Sequence, residues 1–257
     1  MIHAWFLSDL HLKDLEERNS KILLRFLLLL NENKYPITHL ILLGDIFDLW
    51  IGGHQVFIKK WKPILDEIEK LKTQKNVQLI FVEGNHDVHI DPYWEKQLGA
   101  KVITDTFQFN LESKIIYLEH GDLINKQDKN YLKYRSLIRS LPLRFLGLNL
   151  PGVFWESLGS WMSRTSAKKS RVYREDHNEK MRKLIREYSI NKANNMLRDV
   201  PDFIITGHFH IKDDFEFFSL KNKKVKSINL GSWSTEDKPA YYISSTESKF
   251  VDIKSLK

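Results

Sequence analysis

The 257-residue chain has no cysteine. Disulfides and thiolate chemistry are therefore excluded, and the chain suits a reducing compartment. Glycine and proline are sparse, eleven and seven residues, which rules out collagen-like and low-complexity character. Long apolar runs are missing too. The most hydrophobic stretch, residues 22–30, is interrupted by Arg25 and falls far short of the ~20 residues a helix needs to cross lipid. The first residues carry no basic start and no small-residue cleavage site, and their apolar run stops at Asp9. No signal peptide is expected, and the expected location is the cytoplasm. The 42% hydrophobic and 12% aromatic residues that are present exclude disorder. A chain of this length buries about 70–75% of its unfolded surface, so its core needs no staples.

Charge is unevenly placed. The net +7 hides a block, residues 126–186, holding 15 Lys+Arg against five Asp+Glu. Such a block attracts polyanions: nucleic acid, anionic lipid headgroups or a phosphorylated substrate. Inside it lies an uncharged apolar run from Phe145 to Trp155. Basic residues flanking exposed Leu, Phe and Trp suit a membrane interface. The plainer alternative is that Leu141, Phe145, Leu148, Leu150 and Phe154 pack as core.

Periodicity predicts strands at residues 3–8, 39–43, 77–82, 107–111, 115–119, 203–206, 215–217, 225–230, 240–244 and 250–253. Helices are predicted at residues 21–31, 56–72, 128–139 and 175–198, with Pro142, Pro151 and Gly152 breaking the helical pattern between the last two. This order points to an α/β fold, a mixed sheet system covered by helices. We read residues 1–257 as a single domain carrying a helical lid insertion at about 125–172.

The ends of the apolar runs are the informative feature. Five runs end in polar clusters: Ser8-Asp9-Leu10-His11, Gly44-Asp45, Gly84-Asn85-His86-Asp87, His120-Gly121-Asp122 and Gly207-His208-Phe209-His210. In α/β sheets ligands sit beyond the carboxyl ends of strands, so the five clusters are expected to converge on one site. Asp9, His11, Asp45, Asn85, His120, His208 and His210 offer oxygen and imidazole donors, a mixture suited to Mn, Fe or Zn. Seven donors are too many for one tetrahedral ion. They suit two divalent ions about 3.5–4 Å apart sharing a carboxylate, an arrangement that hydrolyses phosphoesters.

At these residues the chain resembles the calcineurin-like metallophosphoesterase superfamily, whose pattern runs Asp-x-His, Gly-Asp, Gly-Asn-His-Asp/Glu, His, Gly-His-x-His. The resemblance implies two mixed β-sheets packed as a sandwich and flanked by helices, with a dinuclear site at the strand ends. It implies one ion on Asp9, His11 and His210, the other on Asn85, His120 and His208, and Asp45 bridging. Within the superfamily the chain looks most like the UDP-2,3-diacylglucosamine hydrolases of lipid A biosynthesis. The residues that carry this are Ser8-Asp-Leu-His-Leu12, Gly44-Asp-Ile-Phe-Asp-Leu-Trp-Ile51, His120-Gly-Asp followed by Asp128, the basic and apolar insertion, and Leu230-Gly-Ser-Trp233.

That second resemblance implies release of UMP from a lipid-linked nucleotide sugar, leaving acylated glucosamine 1-phosphate. The work is done with Mn at the inner face of the inner membrane, against an anionic lipid surface and with no protein partner. It makes the insertion a lid for acyl chains and Asp128, Arg164, Ser166 and Arg171 headgroup contacts. One departure stands out: the best-known members of that group carry Arg after the ligand asparagine, whereas His86 stands here, as in the wider superfamily and some related branches. His86 is expected to offset phosphoryl charge and to donate a proton, with Asp87 orienting its ring. Asp122 is expected to support His120. Asp48 and Trp50 lie just beyond the Gly-Asp block and either shape the site or pack. His3, His39, His54, His89 and His177 are given no role. The rival readings are a phosphodiesterase for nucleic acid or cyclic nucleotides, which would bind with a steep salt dependence, and a non-catalytic scaffold on the same fold.

Overall fold

The computed structural model describes residues 1–155, 157, 175–197 and 199–257. Along the chain run β1 (His3–Leu7), α1 (Arg18–Asn31), β2 (His39–Leu42), β3 (Trp50–Ile51), α2 (Gln55–Lys60), α3 (Lys62–Lys75), β4 (Gln78–Val82), β5 (Asp87–Val88), α4 (Asp91–Trp94) and β6 (Lys101–Ile103). Beyond them come β7 (Thr106–Leu111), β8 (Lys114–Glu119), α5 (Lys129–Ile138), α6 (Leu141–Asn149), α7 (Glu175–Asn195), β9 (Phe203–Thr206), β10 (Lys212–Phe218), β11 (Lys224–Leu230), β12 (Pro239–Ser244) and β13 (Ser248–Asp252).

Two mixed sheets result, one in the order β13-β12-β1-β2-β4-β6 and one in the order β10-β11-β9-β8-β7, with β3 and β5 forming a short separate pair. Residues alternate across each strand, because successive side chains point to opposite faces. In β1, β2 and β4 one face (Trp5, Leu7, Leu40, Leu42, Leu79, Phe81) packs with Leu23, Phe26 and Leu27 of α1 and Ile64, Leu65 and Ile68 of α3. The other face (Ala4, Phe6, Ile41, Ile80, Val82) meets Ile116 and Leu118 of β8, Phe203 and Ile205 of β9 and Ile228 of β11. Tyr117 and Ile204, one residue out of phase, face away from that interior and pack with Ala193 of α7. The architecture is a two-sheet sandwich with helices on both outer faces.

β1, β2, β4 and β6 run parallel, and so do β8, β9 and β11. Parallel strands place their carboxyl ends at one edge of a sheet, so the polar clusters beyond β1, β2, β4, β8 and β9 gather there. The sheets also join at that edge: the His208 amide, after β9, donates to Asp9 Oδ2, after β1, and His120 Nδ1, after β8, to the Leu43 carbonyl, after β2.

Two expectations are corrected. The helix predicted over residues 56–72 is two helices, α2 and α3, divided at Trp61 with Pro63 in the first turn of α3. Pro142 does not interrupt helix; it opens α6, where its missing N–H is one of the unpaired donors in any case. The short strands β3, β5 and β6 carry too few residues to show a period.

The insertion is built differently from the body. No residue of α5 is buried, and in α6 only Gly147 is. The apolar residues do not pack as core: Leu141 is 81% exposed and Phe145 66%, with Leu137, Val153 and Phe154 also open to solvent. Leu148 and Leu150 are half-buried. Trp155, unlike Phe145 and Phe154, packs against the core, and polar contacts do much of the fastening. His89 Nε2 donates to the Ile138 carbonyl, His54 Nε2 to that of Gly147, and Arg144 grips both oxygens of Asp91 at 2.9 Å.

Phe6 is fully buried between the sheets. Phe6→Ala is expected to destabilise the fold by about 3–5 kcal/mol, the usual cost of emptying an aromatic core position. A urea-denaturation midpoint that does not move would show that the sheets are not held by this layer.

Candidate metal centre

The site is organised by the way two buried carboxylates divide their oxygens. Asp9 Oδ2 accepts from Ser8 Oγ at 2.5 Å and from the His208 amide at 2.8 Å. Its Oδ1 has no hydrogen-bond partner and faces His210 Nε2 at 3.3 Å and His11 Nε2 at 3.9 Å. Asp45 repeats the pattern. Its Oδ1 accepts from the amides of Asn85 and His86, both at 2.9 Å, while Oδ2 faces His120 Nε2 at 3.6 Å and His11 Nε2 at 4.0 Å. In each acid one oxygen is held by backbone and the other is presented to imidazoles.

Backbone conformation makes this possible. Asp9, His11, Asp45, His208 and His210 all have left-handed φ, between +48° and +70°. Non-glycine residues in that region cost roughly 1–2 kcal/mol each, and such strain persists where surrounding structure enforces it, often at functional sites. Glycine is required beside them. A Cβ on Gly84 would stand 2.1 Å from Asp45 Oδ1, and one on Gly207 2.0 Å from Ser8 Oγ.

The imidazoles are aimed by their outer nitrogens. His120 Nδ1 donates to the Leu43 carbonyl at 2.7 Å, which leaves the Nε2 lone pair turned inward. That Nε2 and Asn85 Oδ1 are buried without a partner, as is Asp9 Oδ1. His11 Nε2 and His210 Nε2 lie 3.0 Å apart. Three groups of potential ligand atoms lie mutually within 4.8 Å: Asp9, His11 and His210; Asp45, His120 and His208; and His11, Asp48 and His86. Buried polar atoms are nearly always paired. Three orphaned lone pairs on three strand-end loops, amid two carboxylates and four imidazoles, fit cations.

Ionisation reflects the same geometry. Burial opposes the charge on Asp45, but His120, His86 and His11 hold its carboxyl well below the ordinary value. Burial would lower the His120 pKa, and the Asp45 and Asp9 carboxylates instead raise it to about 10. His208 is pushed down to about 4 by burial and by His120. For His86, burial pulls downward while Asp45 and the carbonyl and carboxylate of Asp48 outweigh it, so its pKa is raised. Two carboxylates in so dry a site draw positive charge, as protons on imidazole or as metal.

Several expected roles are corrected. Asp87 does not orient His86. It opens β5, so its side chain points opposite to that of His86, into the protein. There it accepts from the amides of Gly84 at 2.8 Å, Asp45 at 3.0 Å and Ile46 at 2.8 Å. Burial and the Asp45 charge raise its pKa to about 7 against those three donors. The ring of His86 is set by the Asp48 carbonyl, which accepts from Nδ1 at 2.8 Å. Asp122 makes no hydrogen bond to His120; it receives Tyr131 Oη at 2.9 Å and Arg135 Nε at 2.6 Å. Asp128 caps α5, accepting from the Tyr131 amide. Trp50 is fully buried against Phe47, Phe57 and Trp94, so it packs. His54 and His89, given no role, fasten the insertion. Arg164, Ser166 and Arg171 lie outside the described residues, as does the side chain of His177. Sequence reasoning passed over Ser8 as a carboxylate holder, and over Tyr131, Arg135 and Arg139, whose spacing of four on one helix was the available signal.

The sequence profile of the calcineurin-like phosphoesterases matches residues 2–212, and the chain belongs to that family. It is a metal-dependent hydrolase of a family that uses a dinuclear divalent metal centre, and the donor groups above are its candidate ligands. Among its relatives, UDP-2,3-diacylglucosamine hydrolase of Neisseria gonorrhoeae is 31% identical over 239 residues, 91% of this chain and 90% of that one. The protein of the same name from Psychromonas ingrahamii is 27% identical over 228 residues, 89% of this chain and 88% of that one.

Ser8→Ala removes a hydroxyl that holds Asp9 in place. Partners of that kind are worth about 10–100-fold in metal affinity, so Mn²⁺ uptake measured by calorimetry is expected to weaken by at least the lower figure. Unchanged uptake would show that the His208 amide alone fixes Asp9.

Proposed function

We propose that this chain cleaves the pyrophosphate of UDP-2,3-diacylglucosamine to UMP and 2,3-diacylglucosamine 1-phosphate, a step of lipid A synthesis. The observation that carries the reading is a phosphoesterase-type donor cluster standing beside an insertion that turns apolar residues outward. The similarity to hydrolases of that name along nine-tenths of both chains supports it.

Asp9, His11 and His210 would hold one divalent ion in this reading and Asn85, His120 and His208 the other, with Asp45 shared between the two sets. A donor set of oxygen and nitrogen without sulfur suits Mn, with Fe or Zn as alternatives. Such an ion pair supplies a water of near-neutral pKa and offsets charge on phosphoryl oxygens. The protein's part is to place and protonate. His86, fixed at Nδ1 and with a raised pKa, holds a proton that it gives to a phosphoryl or leaving-group oxygen. Asp87 keeps the amides of Gly84, Asp45 and Ile46 in place and so sets the loop that carries both Asn85 and His86.

The whole chain acts as one domain, with residues of about 125–172 as a lid over the acyl chains. Arg164, Ser166 and Arg171 stand as headgroup contacts. No helix among the described residues is long and apolar enough to cross a membrane. Leu141, Phe145, Val153 and Phe154, set in a basic segment, suit shallow insertion into an anionic bilayer surface. In this reading the enzyme works at the cytoplasmic face of the inner membrane.

Two experiments test the reading. With Mn²⁺ present, wild type is expected to release UMP from the lipid substrate and to leave bis-p-nitrophenyl phosphate and single-stranded DNA largely intact. Asp45→Ala should abolish release, while His86→Ala lowers kcat by about 10²–10⁴-fold, the range for a lost general acid. Preference for DNA would overturn the substrate, and full activity in Asp45→Ala the mechanism. Separately, the chain should co-sediment with vesicles containing anionic lipid, and Phe145→Asp with Phe154→Asp should abolish this; equal sedimentation of the double variant would remove the insertion from the membrane contact.

A further inference from the structure

Helix α5 presents Tyr131, Arg135 and, at its C-terminal cap, Arg139 along one face, each four residues from the next. All three reach loops that carry metal-site donors. Arg139 Nη1 donates to Glu83 Oε2 at 2.6 Å and its Nη2 to the Gly84 carbonyl at 2.9 Å. These are the two residues immediately before Asn85. Glu83 is buried, and its other carboxylate oxygen accepts from the Ile90 amide at 3.0 Å, which closes the loop upon itself. Arg135 and Tyr131 share Oδ2 of the buried Asp122, two residues beyond His120. The Tyr131 ring also lies against the His208 ring, with centroids 5.5 Å apart.

The three loops belong to Asn85, His120 and His208, the donors of a single ion in the proposed assignment. Among the described residues, no hydrogen bond from the side chains of α5 reaches the loop of Asp9 and His11, and the loop shared by His208 and His210 is touched only through the His208 ring. The geometry points to α5 as a brace for one of the two metal positions: Tyr131, Arg135 and Arg139 are positioning residues that set the affinity of the Asn85/His120/His208 ion and leave the other nearly untouched. Since α5 buries no residue of its own, these contacts dock α5, beside the His89, His54 and Arg144 bonds that hold the rest of the insertion. By linkage the effect is reciprocal. Binding of the ion at that position steadies the insertion, and a docked insertion tightens the ion. A lid fastened this way is coupled to metal occupancy and is only loosely held when that position lacks its cation.

This inference rests on the proposed dinuclear reading, and the test separates the two. Mn²⁺ is titrated calorimetrically into metal-free wild type, Arg135→Gln and Arg139→Gln. Wild type is expected to take two ions in resolved steps. Each variant should weaken one step by about 10–100-fold, the span for partners that hold metal ligands, and retain the other. Both steps unchanged, or both weakened alike, would overturn the brace. A wild-type chain that takes fewer than two ions overturns the dinuclear reading itself, before any variant is compared. Should the variants not fold, hydrogen exchange on wild type decides. Added Mn²⁺ should slow exchange of the amides of residues 129–138 several-fold, and exchange there that ignores the metal rejects the coupling.

Discussion

The structure depends on a division of labour within two carboxylates. Asp9 and Asp45 each give one oxygen to backbone amides from another strand and turn the other toward imidazoles. The amide bonds do two things. They tie the loop after β1 to the loop after β9, and the loop after β2 to the loop after β4. They also fix the direction of the free oxygen, helped at Asp9 by the Ser8 hydroxyl. Charge-assisted bonds of this kind are about twice as strong as neutral ones, so the same contacts that join the loops also position the reacting centre. Replacing either acid would release two loops as well as a ligand.

That arrangement requires backbone in unusual places. Five of the seven candidate ligands sit at left-handed φ, and Gly84 and Gly207 lie where any side chain would collide with the acids or their supports. Strain so concentrated survives only on a rigid base. The sandwich provides one: Phe6, Ile41, Val82, Leu118, Ile205 and Ile228 interlock between the sheets directly behind the strand ends. Local propensity loses at the loops because the core wins everywhere else.

The same contrast decides which features are legible in the chain. The alternation in β1, β2, β4, β8 and β9 is a property of neighbours in sequence, and the strands lie within about a residue or two of where the pattern put them. The clusters after those strands were equally plain, since parallel strands deliver their carboxyl ends to one place. Side-chain direction at a short strand is another matter. Whether Asp87 faces His86 or the amides of Asp45 and Ile46 is decided by the pairing of β3 with β5, two residues each. Asp122 beside His120 suggested a contact that the chain geometry does not make, because the Leu43 carbonyl already occupies His120 Nδ1. Pro63 and Pro142 both open helices, a role that depends on where the preceding turn ends.

The insertion inverts the usual amphipathic rule, and the inversion has a physical basis. A helix docked on a protein body normally turns its apolar stripe inward. Here the inward residues are Arg135, Arg139 and Arg144, each matched to a carboxylate on the body, and the outward ones include Leu137, Leu141 and Phe145. An ion pair in a poorly solvated crevice gains little net stability once desolvation is counted, so such docking is specific without being strong. Apolar docking would have been tighter and would have left nothing for a lipid surface to cover. A weakly held, sharply registered helix suits the proposed lid, which must stay aligned with the metal loops while its outer face exchanges water for acyl chains.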